Sequence, residues 1–228
     1  LIERMRALGR ALLQSRSGVS AVEFAVVAPV ILTIGLYGAE VAYLNTVDMK
    51  LSEIALTLAD NASRIGQTDN SAVTPTVTET DISEVMFGAQ KQGGGIDLAA
   101  NGKVILTSLQ RDAATGKQFI KWQRCMGLKN ASSAYGPQGT GATGTGFVGM
   151  GRSGQELRAE ANQAVMFVEV YYDYQPVLDN AFTEPYITPP EIRASAAFTV
   201  RGTRDLTGVF QRSPAATIAS CNQFTAGA

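Results

Sequence analysis

Glu23 is the residue whose placement most needs a chemical explanation: it stands at the start of an apolar stretch and follows Gly18-Val19-Ser20-Ala21-Val22. An acid in hydrocarbon costs about 3 kcal/mol at a helix centre and less near the interface, so such residues usually mark function. A counter-ion lies four residues away, because a cut after Gly18 would turn the nitrogen of Val19 into an α-amino cation beside the helix. In a bundle, the amine of one subunit and the carboxylate of its neighbour would neutralise each other, and assembly would remove a cost that each lone subunit carries. The pair would then set the axial register between subunits. The plainer reading makes Gly18 a helix breaker ahead of an anchor and Glu23 an acid that snorkels to the interface of an uncut protein.

Little other chemistry is on offer. The chain has no histidine, which removes the commonest general base, the serine and cysteine triads that depend on it, and most transition-metal sites. No acid pair stands out and no Asp/Asn-rich loop has calcium-binding spacing. Neither an enzyme nor a bound cofactor or metal is expected. Gly139-Thr140-Gly141-Ala142-Thr143-Gly144 fits the GxGxxG pattern, and the run from Gly144 to Gly149 fits it again. The nucleotide motif needs a strand before the turn and a helix start within it, whereas residues 130–138 read as loop. This stretch is therefore expected to be a flexible linker, mobile enough to face a partner. A net charge of −1 speaks against nucleic acid, whose binders draw affinity from neutralised phosphates. Trp122, Tyr171, Tyr172 and Tyr174 read as core or sheet-face residues rather than a carbohydrate platform.

The element that must position Glu23 is a membrane helix. Phe24 to Ala39 is a run of 16 residues without a charge, and after Glu40 the apolar character resumes through Val41, Ala42, Tyr43 and Leu44. Residues 24–44 come close to the roughly 20 that a helix needs to cross a bilayer core. Before this run, Arg4, Arg6, Arg10 and Arg16 stand against Glu3, which gives the first 18 residues a charge of +3 and leaves −4 for the rest. That asymmetry puts the N-terminus in the cytoplasm and everything after Leu44 outside. The chain opens on Leu1, not Met, so the basic leader is expected to start further upstream. An ordinary secretory signal fits poorly. Its peptidase wants small residues at the last and third-last positions, and cuts after Ala39 or Ala42 would put Tyr37 or Glu40 third-last.

The segment Gly18-Val19-Ser20-Ala21-Val22-Glu23-Phe24 resembles the processing site of type IV prepilins, which are cut after glycine with glutamate fifth in the mature chain. The likeness is greatest to the tight-adherence (Tad) subclass, with its basic leader, Gly-x-x-x-x-Glu and a following aromatic. Phe24 stands where the short major pilins often have Tyr. TadE-like members carry a proline inside the apolar run and an acid near its end, and Pro29 and Glu40 occupy those places. The resemblance covers residues 16–44. It implies a minor pilin or pseudopilin, cut between Gly18 and Val19 by an aspartic prepilin peptidase and acting in pilus assembly, priming or the tip. Its implied partners are other pilins or pseudopilins, reached through Glu23 and Phe24, the inner-membrane assembly platform and membrane lipid. Its implied place is the bacterial inner membrane, with the outer domain in the periplasm or on an extracellular pilus. Pro29 removes one helical hydrogen bond; it is read as a kink or as a place where the helix melts on packing. Glu40 is read as an interfacial acid.

Outside the membrane, Val47, Leu51, Ile54, Leu58, Ala62 and Ile65 form one helical stripe. The whole helix is expected over 19–65, roughly 70 Å at 1.5 Å per residue, with an α+β domain over 66–228 behind the 1–18 leader. Residues 67–78 read as loop. Asp81 with Glu84 reads as the cap of a short helix reaching Gln92, which Gly93, Gly94 and Gly95 end. Lys103 to Gln110 and Gln118 to Cys125 predict a hairpin. Ala164 to Tyr174 alternates, with Met166, Val168, Val170, Tyr172 and Tyr174 inward and Glu169 and Asp173 outward. In Ile192 to Arg201, Ala194, Ala196, Phe198 and Val200 point in. Four antiparallel strands with one apolar face would cover the stripe of the long helix, the layout of pilins.

Cys125 and Cys221 are the only cysteines, and this topology puts both in an oxidising compartment where disulfides persist. A bond would tie the second strand to the C-terminal tail; closing about 97 residues, it would contribute at most roughly 4 to 5 kcal/mol. Two separate buried thiols are the alternative. The rival readings of the whole chain are an uncleaved signal-anchor scaffold of the secretion apparatus, a pilus-tip adhesin, and a pseudopilin of a type II secretion system.

Overall fold

The computed structural model describes residues 17–66, 74–144, 146–177 and 191–222. The basic leader up to Arg16 and most of the predicted 67–78 loop lie outside the described residues. In chain order the elements are α1 (Ser17–Arg64), α2 (Glu79–Gln92), a 3-10 turn (Gly93–Ile96), α3 (Leu98–Asn101), β1 (Gly102–Arg111), β2 (Gln118–Met126), β3 (Ala164–Asp173) and β4 (Glu191–Thr199). The strands form one antiparallel sheet in the order β2-β1-β3-β4. The fold is α+β: a long N-terminal apolar helix whose second half packs on a four-stranded antiparallel sheet, a pilin-like architecture.

The predicted stripe is the face that docks. Val47, Leu51, Ile54, Leu58 and Ala62 are at most 1% exposed and share a core with Val104, Leu106, Trp122, Met126, Met166, Val168, Val170 and Tyr172 of the sheet. Each buried Leu, Ile or Val side chain contributes about 1.5–3 kcal/mol, so this stripe is the main force joining helix to sheet. Ala194 belongs to the same core, and Ala196 and Phe198 pack at its edge as expected for β4.

The other face of the sheet departs from expectation. It is not solvated. Leu109, Ile120, Val165 and Phe167 are covered by Met150, Ala159, Tyr135 and Phe147, all from the long connection between β2 and β3. Consequently β1 is buried along all but its last residue. The same burial corrects Glu169, expected to point to water: its carboxylate is 4% exposed and accepts hydrogen bonds from Ser133 Oγ at 2.5 Å, the Ala134 amide at 2.9 Å and the Tyr171 hydroxyl at 2.8 Å. A buried acid without such donors would be prohibitively costly.

The glycine-rich stretch belongs to this cover and is not a free linker. The Gly139 amide donates to the Ile120 carbonyl at 2.9 Å, and the Ile120 amide donates to Thr140 at 2.8 Å, which occupies part of the open edge of β2. The helix cap also differs from expectation. α2 starts one turn earlier, on Thr78, whose hydroxyl accepts from the Asp81 amide while Asp81 accepts from the Thr78 amide. Asp81 therefore sits at the third helical position of a capping box, and Glu84 is exposed. The Gly93–Gly95 run does not simply end α2; it winds on as the 3-10 turn.

Candidate functional site

The residues singled out at the N-terminus lie on one continuous helix. α1 spans 48 residues with Pro29 inside it, a length of roughly 70 Å. Gly18, Val19, Glu23 and Phe24 all lie in its first two turns and are exposed, Phe24 at 74%. A Cβ added at Gly18 would meet nothing within 4 Å. The membrane-length window of the helix has no buried residue, and its first buried side chain is Glu40. Up to that point the described residues leave exposed an apolar surface that includes Val22, Val26, Val30, Ile31 and Ile34.

Polar side chains within this half turn back on their own backbone. Thr33 Oγ1 donates to the Pro29 carbonyl at 2.8 Å, Asn45 Nδ2 to Val41 at 2.7 Å and Thr46 Oγ1 to Ala42 at 2.9 Å. Of these, Thr33 lies within the apolar span, where a hydroxyl needs such a partner from the helix itself. Among the described residues Glu23 has no such hydrogen bond or ion pair.

Glu40 is where the exposed apolar half of α1 meets the folded domain. It is 5% exposed, not an acid facing the interface. Its Oε1 accepts the Tyr174 hydroxyl at 2.6 Å, and its two oxygens lie 3.3 and 3.2 Å from the Val177 amide. The Tyr43 and Tyr174 rings stand 6.0 Å apart in a tilted contact. Burial, helped by the Glu40 carboxylate, pushes the Tyr174 phenol well above its usual range. Nothing in the sequence pattern singled out this contact, since the partners are 134 residues apart. The distal end of the helix is held by Arg204, whose Nη1 donates to the carbonyls of Ala62 at 3.1 Å and Ile65 at 2.9 Å. The Ala62 carbonyl is in the last turn of α1 and that of Ile65 lies just past it, where no intrahelical amide can reach. Burial lowers the Arg204 guanidinium to about 10.

Cys125 and Cys221 form a disulfide. The tail also pairs with β2, the Cys125 amide donating to the Ala219 carbonyl at 2.8 Å. Together with Gly139 and Thr140, the tail occupies the outer edge of the sheet on that side, which suppresses strand addition by another chain. Trp122, Tyr171, Tyr172 and Tyr174 are all buried, as expected. Among the described residues no group of three or more His, Cys, Asp or Glu is placed to hold a metal. The chain matches no family model, no curated protein and no solved structure.

Proposed function

We propose that this chain is a membrane-inserted, pilin-like subunit of the TadE type, a minor pilin or pseudopilin that a prepilin peptidase cuts between Gly18 and Val19. One observation carries the reading. The apolar half of α1 is left uncovered by the described residues and bears Glu23 near its start, while the other half is locked into a sheet domain. Lipid covers such a surface in the monomer, and neighbouring helices replace lipid in a filament. The new amine of one subunit would meet the Glu23 carboxylate of the next, and desolvating an unpaired charge makes that step register-selective. The disulfide fits an outer domain in an oxidising compartment, the periplasm. The size of that domain favours priming, base or tip roles over the bulk of a fibre, with other pilins and the inner-membrane assembly platform as partners.

The test is the N-terminus of the protein extracted from membranes of cells with and without their prepilin peptidase. A mature mass starting at Val19, lost in the peptidase-deficient cells, is expected. Retention of the basic leader in both strains would overturn the reading in favour of a signal-anchor scaffold. In the processed protein, Glu23→Gln should leave the outer domain folded, by thermal melting, and abolish incorporation into pili.

A further inference from the structure

We infer that the outer domain carries a binding cleft for acidic polysaccharide at its membrane-distal end. The position follows from the ends of the sheet. The C-terminal end of β3 lies against Glu40, beside the apolar half of α1, while the Arg201 amide just past β4 reaches Ser63 at the far end of the helix. Arg111 closes β1 beside the start of β3, so it belongs to the far end. There a cleft of about 400 Å³ opens between the β1–β2 turn and the cover of the second sheet face. It lies within the roughly 300–1,000 Å³ range of small-molecule sites.

Three cations line it: Arg111, Lys117 and Arg158. Elsewhere in the domain Arg64, Arg124, Lys129, Arg193, Arg201 and Arg212 have carboxylates within 4.0 Å, Lys91 lies over the Phe87 ring, and Lys103 and Arg204 donate to backbone carbonyls. Arg111, Lys117 and Arg158 have no ion pair among the described residues. Two nearby acids act on these cations at longer range, Asp112 on Lys117 and Glu156 on Arg158, while their hydrogen bonds go elsewhere: Asp112 accepts from the Thr115 amide and hydroxyl, both at 2.7 Å, and Glu156 from the Gly154 amide at 2.8 Å. Lys117 is held in place through a 2.9 Å bond from its Nζ to the Gly144 carbonyl. The glycine-rich cover thus builds one wall of the site.

The rest of the lining selects among anions. Glu160 shares the cleft, as do Phe147, which is partly buried against the second core, and Val148. A compact phosphate would meet repulsion from Glu160 without using the ring. A sugar acid offers a carboxylate to the arginines, hydroxyl donors to Glu160 and an apolar ring face to Phe147. Repeating units of an acidic polysaccharide present these groups in series at a domain tip that faces away from the membrane. The inference does not rest on leader cleavage or filament incorporation.

The full chain in detergent micelles is titrated calorimetrically with oligogalacturonate, a neutral oligogalactoside and inorganic phosphate. Oligogalacturonate is expected to bind, more weakly as salt rises, and the neutral oligomer not to bind. Arg111→Gln and Arg158→Gln should each weaken binding roughly tenfold, the effect of losing a hydrogen bond to a charged group. Lys50→Gln, the same charge change on α1, should leave binding unaltered. Should either arginine variant not fold, the exposed Lys117→Gln carries the comparison. Absence of oligogalacturonate binding, equal loss in Lys50→Gln, or phosphate binding as tight as the oligomer would overturn the assignment.

Discussion

The Tyr174 hydroxyl donates to the Glu40 carboxylate across 2.6 Å, joining the last apolar turns of α1 to the end of β3. With Arg204 at the other end of the docked helix, it fastens the second half of α1 to the sheet domain at both ends. A hydrogen bond to a charged group contributes about 1.5–3 kcal/mol. Tyr174→Phe is therefore expected to lower the unfolding free energy of the outer domain by that amount in urea titrations. Glu40→Gln keeps an acceptor and should cost less than Glu40→Ala.

A second prediction concerns alkaline pH. Burial foremost, with nearby acidic groups, pushes the Tyr172 phenol up to about 12; its hydroxyl donates to the Ile96 carbonyl at 2.7 Å. A folded value above the unfolded one of about 10 means that the contribution is fully present below pH 10. It is lost as pH rises through the folded value, because the unfolded chain releases its proton first. Stability measured by urea midpoint should hold to about pH 10 and then fall. Tyr172→Phe should flatten that fall.

The ion pair of Glu79 with Arg124 ties the first turn of α2 to β2, with side chains only 4% and 11% exposed. Arg124 Nε donates to Glu79 Oε2 at 2.9 Å. Removing one partner strands the other charge, so Arg124→Met should destabilise by about 3–5 kcal/mol. Exchanging both residues for apolar ones of similar volume should recover most of that loss in the same chemical denaturation assay.

The ordered cover over the second sheet face gives a paired test. Gly139 and Gly141 have φ of +93° and +87°, so alanine at either pays about 1–2 kcal/mol for a left-handed backbone. At Gly139 a Cβ would meet nothing within 4 Å, whereas at Gly141 it would lie 2.3 Å from the Gln118 carbonyl oxygen. Gly141→Ala should therefore lower the melting temperature well beyond Gly139→Ala. Equal effects would show that the cover does not press on the sheet.

Helix, strands and docking stripe were legible because they rest on periodicity. Val47, Leu51, Ile54 and Leu58 repeat at helical spacing whatever they pack against, and Met166, Val168, Val170 and Tyr172 alternate. Burial of both sheet faces was half visible in β1, whose Val104-Ile105-Leu106 run is continuous rather than alternating, as in strands covered on both sides. The cap on Thr78 was missed because Asp81 carries an acid that suits either the cap or the third helical position. Proximity to Thr78 decides between them.

By itself the sequence determined the apolar span, the asymmetric charge around it, the place of Glu23 and the alternation of helix and strand, since these depend on residues close along the chain. Only the tertiary structure decided that Glu40 faces Tyr174, that Glu169 is buried among three donors, and that Arg111, Lys117 and Arg158 share a cleft. Each of these joins segments tens of residues apart. Their meeting follows from strand order and from how a glycine-rich cover folds back over the sheet, and no local pattern encodes either.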